Sequence, residues 1–269
     1  MTRPHGERPE DIDVRRANSA RMYDYFLGGS ANFEIDREAV QKIVEAMPDV
    51  EYSIRASRGF LGRAVRYLVE QGIEQFLDLG SRVPIVGSVH EIADTLASEV
   101  RVVYVDTDPV SVAHGKQLLG DVKQADIIGA DFRDVRSVIE GAETTGLLDI
   151  ARSTGLLMVS VLNFVQDDEE AVAIMDRYRA ALAPGSYVAL SHATAAGLPQ
   201  ETSDRIDEVY ANVNPPSRWR SPKQIEALLD GLELVPPGLV TASEWRPDAP
   251  PDLPPDRIAY RAAVGRIIR

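Results

Sequence analysis

Three short apolar runs, each closed by an acid, constrain this chain more than any other feature. Residues 75–82 read QFLDLGSR, residues 101–106 read RVVYVD and continue into Thr107, Asp108 and Pro109, and residues 126–130 read DIIGA ahead of Asp131, Phe132, Arg133 and Asp134. Runs of this length, rich in β-branched residues and bounded by turn residues, predict parallel strands buried on both faces. The stretch between Gly80 and Asp106 holds a loop, a helix and a return strand, which makes a right-handed βαβ unit. Open sheets of this kind bind ligands at the carboxyl ends of their strands, so the acids fall on one edge. Backbone approach at the Gly80 turn and a carboxylate at Asp106 suit a ribose-containing ligand. An ordinary strand followed by a glycine turn fits Asp78, Gly80 and Ser81 equally well, because a lone glycine turn is common.

The rest of the pattern supplies the helices and the later strands. Asn18 to Gly29 (NSARMYDYFLGG) starts on capping residues and stops at two glycines, which predicts a short helix. It reads either as packing on the main domain or, through the aromatic pair Tyr23 and Tyr25, as a lid over a ligand. Amphipathic helices are expected at 32–45 and 55–71. The arginines of the second (Arg55, Arg58, Arg63, Arg66) read as an anion patch or as a solvated face. Crossover helices follow at 90–98, 110–119, 135–140 and 167–182. The most apolar run, 154–164 (TGLLMVSVLNF), predicts a central fourth strand carrying Ser160, Asn163 and Phe164 to the common edge, although Asn163 also suits a turn. A fifth strand at 186–194 delivers Ser191, His192 and Thr194. Helices at 200–212 and 223–229 precede a Pro-interrupted strand region at 232–245, a Pro-rich loop and a last strand at 258–267. The late pair suggests an antiparallel hairpin at one edge of the sheet. The first seventeen residues lack periodicity and read as a flexible arm.

Composition removes several function classes. The 269 residues include no cysteine, which excludes disulfides, thiolate nucleophiles and cysteine zinc sites, and four scattered histidines leave little for a metal cluster. A net charge of −13 opposes a nucleic-acid substrate, whose phosphates would be repelled. No apolar run reaches the ~18 residues that a membrane span needs, so a cytoplasmic protein acting without membrane or nucleic acid is expected.

Taken together, RMYDYFLGGSANFEIDREA, FLDLGS with VHEIA, VVYVDTDPV, ADFRD, VLNFV, ALAPGSYVALSHAT and ELVPPGLVTASEWRPD run in order over nearly the whole chain. In that order they resemble the actinobacterial S-adenosylmethionine-dependent methyltransferase family first catalogued as domain of unknown function 574. The resemblance implies an α/β, Rossmann-like class I methyltransferase with a seven-stranded, mostly parallel sheet, an antiparallel last pair and N-terminal helical additions. It implies one domain over 18–269, with 18–72 as a helical cap and 73–269 as the α/β core. It also implies S-adenosylmethionine as cofactor and a small-molecule acceptor. Asp78, Gly80, Ser81 and Arg82 would form the loop near the methionine part, with His90 beyond it. Asp106 would bond the ribose hydroxyls, beside Thr107 and Asp108. Asp131 would take the adenine amino group, next to Phe132 and Arg133, while Ser160 and Asn163, at the fourth strand end, would also contact the cofactor. Tyr23, Gly28 and Gly29 would close over the ligand. The family's turn reads Gly-Ser-Gly where this chain has Gly80-Ser81-Arg82, and it favours Thr at Ile85 and His at Asn163.

Methyl transfer from a sulfonium relies on alignment and water exclusion. A protonated oxygen or nitrogen acceptor needs a base, for which His192 is the candidate, against the commoner role of a structural histidine bonded to a nearby loop. The departures at Arg82, Ile85 and Asn163 keep open a second reading, a methyltransferase-like protein that binds S-adenosylmethionine or another nucleoside without turnover. A nicotinamide dehydrogenase fits less well, since the full glycine fingerprint is missing after Asp78.

Overall fold

A computed structural model describes residues 15–30, 32–81, 88–96 and 99–268. Arg82 and Ile85 lie outside the described residues, as does most of the expected N-terminal arm. The central sheet is built from β1 (Gln75–Leu79), β2 (Arg101–Asp106), β3 (Ala125–Gly129), β4 (Gly155–Val159), β5 (Tyr187–Ala193), β6 (Leu232–Leu234) and β7 (Tyr260–Ile267). Their order across the sheet is β3-β2-β1-β4-β5-β7-β6, and the short rung Val240–Thr241 also pairs with β7. The first five strands run parallel, and β7 is antiparallel to both β5 and β6. The late hairpin therefore lies at the sheet edge with its second strand turned inboard, against β5. The Pro-interrupted region keeps only two short strand pieces, because the prolines remove ladder donors.

Alternation along each strand feeds two cores. Phe76, Val102, Tyr104, Leu157, Ala189 and Val264 point to one face, whereas Leu77, Val103, Leu156, Val188 and Ala263 point to the other. Helices α1 (Ser19–Phe26), α2 (Glu34–Ala46), α3 (Val50–Glu70), α4 (Val89–Asp94), α5 (Pro109–Leu118) and α8 (Gln200–Tyr210) contribute to the first core. Helices α6 (Val135–Thr144), α7 (Asp168–Ala181) and α9 (Pro222–Leu228) contribute to the second. This three-layer arrangement is what continuous apolar strands require, since neither face tolerates water.

The N-terminal helices are fastened rather than appended. Asn18 caps α1 by accepting from the Ala20 and Arg21 amides at 2.8 and 3.2 Å. Its own amide donates to the fully buried Asp36 of α2 at 2.8 Å, and Arg21 Nε reaches the other carboxylate oxygen at 2.6 Å. Ala17–Asn18 also pairs in parallel with Val213–Asn214.

Part of the basic face of α3 is spent on the fold. Arg63 donates to the carbonyls of Trp245 and Ala242 at 2.8 and 2.7 Å, Arg66 pairs with Asp248, and Arg55 with Glu51. Trp245, fully buried, meets Phe60 and Tyr67 edge-on at 5.3 and 5.9 Å. Its indole nitrogen has no hydrogen-bond partner, so its contribution is packing. Trp245→Ala should cost about 3–5 kcal/mol in urea unfolding, while Trp245→Phe should cost much less. Equal losses in the two variants would show that ring packing is not what this residue supplies.

Candidate functional site

The edge carrying the strand ends divides into two halves with different chemistry. On the β1–β3 half, Asp78 and Asp106 are buried at neighbouring strand ends. The Gly80 and Ser81 amides both donate to the Val105 carbonyl, at 2.9 and 3.2 Å, which bends the turn toward β2. Gly80 has φ of +65°, and a Cβ there would lie 2.7 Å from Val161 Cγ2, so the turn needs glycine both for its dihedral and for its packing.

Asp106 Oδ1 accepts the Asp108 amide at 2.9 Å, and Asp108 in turn accepts from the Ser111 hydroxyl at 2.7 Å and from its amide at 3.2 Å. Asp108 thus caps the start of α5, and Thr107 beside it is exposed. His90, the second residue of α4, sits against Tyr104. Its amide donates to the tyrosine oxygen at 3.1 Å, and the phenol hydroxyl and His90 Nδ1 share a hydrogen bond at 2.7 Å. Burial lowers the His90 pKa and raises that of Tyr104, so both remain neutral.

Beyond β3, Arg133 donates to both oxygens of Asp131, from Nε at 2.9 Å and from Nη2 at 2.5 Å. Burial pushes the Asp131 carboxyl up, but these bonds outweigh it and hold it below the ordinary carboxylate value. The Phe132 carbonyl accepts from Tyr178 Oη at 2.8 Å.

The β4 half differs from the expected strand. β4 stops at Val159, Ser160 takes φ of +59°, and Leu162–Phe164 forms a 3-10 turn. The left-handed Ser160 breaks the strand and aims its hydroxyl at Ser57 (3.1 Å) and Ser191 (3.4 Å), which themselves lie 2.8 Å apart. Asn163 Oδ1 accepts the Ala193 amide at 3.1 Å, tying the turn to β5.

Ser160 and Asn163 line a narrow, open cleft of about 30 Å³. Over it lie Ser19, Met22, Tyr23 and Phe26 of α1, and its other walls include Ile54, Phe164, Tyr210 and Tyr260. Tyr23 faces the cleft, whereas Tyr25 is 41% exposed and points away. Gly28, with φ of +78°, is the left-handed stop of α1, and a Cβ on Gly29 would meet the Asp24 carboxylate at 2.0 Å.

His192 lies beneath this edge, fully buried. Nδ1 donates to the Ala193 carbonyl at 2.8 Å, and Nε2 accepts from Arg220 Nη1 at 2.9 Å. Burial, reinforced by the Arg220 charge, holds its pKa down to about 3. A ring without a free nitrogen or a path to solvent is a structural histidine, bonded to a neighbouring segment.

Arg220 itself is buried and gathers the carbonyls of Leu162, Val165 and Asp167 at 2.8–3.2 Å, with Asp168 as counter-ion at 3.0 Å. Asp168 also accepts from Arg218 and Gln224, and chiefly the Arg218 bonds hold its carboxyl down to about 2. Nothing in the strand pattern marked Arg220, which lies in a loop far along the chain. The apolar face of α1 and the tyrosine opening β7 were the available signals for the cleft.

Comparison with known proteins decides the family. A model of the S-adenosyl methyltransferase family matches residues 5–268. The chain belongs to that family, whose cofactor is S-adenosylmethionine. A DUF574-family protein from Streptomyces avermitilis is 37% identical, with 94% of this chain and 98% of that one covered and a TM-score of 0.88. A protein from Thermobifida fusca, provisionally assigned as a methyltransferase, is 35% identical over 97% of this chain and 98% of its own, also at 0.88. The N-methyltransferase NodS of Bradyrhizobium japonicum, solved with S-adenosylhomocysteine, shares the fold at 14% identity and a TM-score of 0.51, with 93% and 100% covered. No curated protein matches the sequence. Among the described residues no helix is long and apolar enough to cross a membrane.

The buried His192 has a consequence for acid stability. Its folded pKa lies below the unfolded value of 6.5, so between about 3 and 6.5 the unfolded chain binds a proton that the folded chain refuses. Its stability contribution is complete above pH 6.5 and declines as the pH falls through that window. Urea unfolding measured from pH 7 to pH 4 should show a smaller loss for His192→Asn than for the unaltered chain. Parallel pH curves would mean that His192 titrates alike in both states.

Proposed function

We propose that this family member transfers a methyl group from S-adenosylmethionine to a small-molecule acceptor, with the cofactor on the β1–β3 half of the edge. The observation that carries this reading is the row of carboxylates at consecutive parallel strand ends, beside a turn that only glycine can make. Asp106, whose Oδ1 accepts the Asp108 amide, is suited to bond the ribose hydroxyls. Asp131, steadied by Arg133, is suited to the adenine amino group, with the Phe132 amide beside it. Asp78, Gly80 and Ser81 form the wall for the methionine part, and His90 supports it from the start of α4. Thr107 and Asp108 flank the ribose.

Bound there, the cofactor supplies an activated methyl group on a positively charged sulfur. The protein's share is alignment and exclusion of water. Helix α1, capped by Asn18 and anchored on Asp36, brings Tyr23 over the edge, and the turn through Gly28 and Gly29 ends it. A tyrosine face near a sulfonium contributes roughly 0.5–2 kcal/mol. On this reading residues 18–72 act as a cap on a single domain. Ser160 and Asn163, at the junction of the two halves, separate cofactor from acceptor.

Titration calorimetry with S-adenosylmethionine and S-adenosylhomocysteine tests the assignment. Both should bind, and Asp106→Ala should weaken them about 10- to 100-fold, the weight of roughly 1.5–3 kcal/mol for hydrogen bonds to a charged group. No heat with either ligand at millimolar concentration would remove the reading altogether. Unchanged affinity in Asp106→Ala would move the ribose elsewhere.

A further inference from the structure

We infer that Tyr178 of α7 is a positioning residue for the adenine ring of the cofactor: its hydroxyl sets the turn through Asp131 and Phe132 that reads the base, and so carries part of the preference for adenine over a base of opposite hydrogen-bonding pattern. This deepens the cofactor reading above and rests on it.

Tyr178 is fully buried, and its ring belongs to the second core, against which Phe132 also packs. The turn that it reaches lies at the surface, with Asp131 half-buried and Arg133 exposed. The hydroxyl donates to the Phe132 carbonyl at 2.8 Å. Burial, reinforced by the Asp131 charge, raises the Tyr178 pKa, so the group stays protonated and remains a donor. A phenol hydroxyl sealed in an apolar core needs a partner, and that need alone would suit a purely structural tyrosine.

The far end of the accepting peptide takes the matter further. The peptide joining Phe132 to Arg133 is planar, so its carbonyl and its N–H turn together. Tyr178 holds the carbonyl, and the N–H donates to Asp131 Oδ1 at 3.0 Å. One peptide unit is therefore pinned between a core hydroxyl and the carboxylate proposed for the adenine amino group. On its other side the turn is tied to α6: the Asp131 carbonyl accepts the Asp134 amide at 2.9 Å, and the Asp134 carboxylate accepts the Ser137 hydroxyl at 2.6 Å. Without the Tyr178 bond the peptide is freer to rotate, and Asp131 then rests on the exposed side chain of Arg133.

Adenine presents an amino donor beside a ring-nitrogen acceptor, whereas hypoxanthine presents an oxygen acceptor beside an N–H donor in the same places. A carboxylate next to a backbone amide complements the first base and opposes the second, provided that their spacing and direction are fixed. Tyr178 contributes that fixing from the core.

Calorimetry with S-adenosylhomocysteine and S-inosylhomocysteine, which differ only in the base, tests the inference. The unaltered protein should prefer the adenine compound about 10- to 100-fold. Tyr178→Phe keeps the ring and removes the hydroxyl. It should weaken S-adenosylhomocysteine roughly 3- to 10-fold and S-inosylhomocysteine less than about twofold, so that the preference narrows. In an Asp131→Ala background the same substitution should leave the preference where it stands, because the group that Tyr178 positions is gone. A lower urea midpoint with an unchanged preference would make Tyr178 a structural residue and overturn the proposal. Equal narrowing with and without Asp131 would overturn the route through that carboxylate, and equal binding of both compounds to the unaltered protein would take the adenine away from this turn. Failure of S-adenosylhomocysteine itself to bind would instead remove the cofactor reading on which the proposal stands.

Discussion

The buried guanidinium of Arg220 is the interaction on which the working edge depends. A cation taken out of water is tolerated only when its donors and its charge are both answered. Here three carbonyls from the segment after β4, the imidazole of β5 and the carboxylate of Asp168 answer them. The Arg220 amide also donates to the Ala193 carbonyl at 3.2 Å. One side chain thus ties the end of β5 to the turn holding Ser160 and Asn163, and to the start of α7. The neutral His192 is part of the same arrangement, because a protonated ring would present a second cation to Arg220.

That clamp makes two unlike environments possible on one sheet edge. Toward β1, β2 and β3 the strand ends carry carboxylates suited to hydroxyls and an amino group. Toward β4 and β7 they carry serines, an amide and aromatic rings. Ser160 stands at the boundary, and its left-handed backbone redirects the chain so that Asn163 faces β5 and the cleft remains open. The N-terminal helices complete the enclosure, and the fully buried Asp36 explains how a short helix such as α1 keeps its place: it accepts from the Asn18 amide, from Arg21, and from the Phe33 amide at 2.8 Å.

The strand-end acids, the parallel order of the core and the N-terminal helix were all legible in the chain, because buried strands need continuous apolar runs and turns need glycine or capping residues. Gly80 was legible for the same reason, since its turn admits no other residue. The end of the fourth strand was not. The run from 154 to 164 is apolar throughout, and only the contacts of Ser160 with Ser57 and Ser191 show where the ladder stops. The arginines of α3 were equally ambiguous until Arg63 and Arg66 were seen to hold the 242–248 segment.

By itself the sequence determined the periodicity, the turn chemistry and the family-wide order of motifs, all properties of residues close together along the chain. Only the tertiary structure decided which of the two tyrosines of α1 faces the cleft and that His192 is sealed by Arg220. Those outcomes depend on residues as distant in sequence as Ser19, Asn163 and Tyr260 sharing one wall. Such contacts arise from packing, and packing leaves no local mark in the order of the amino acids.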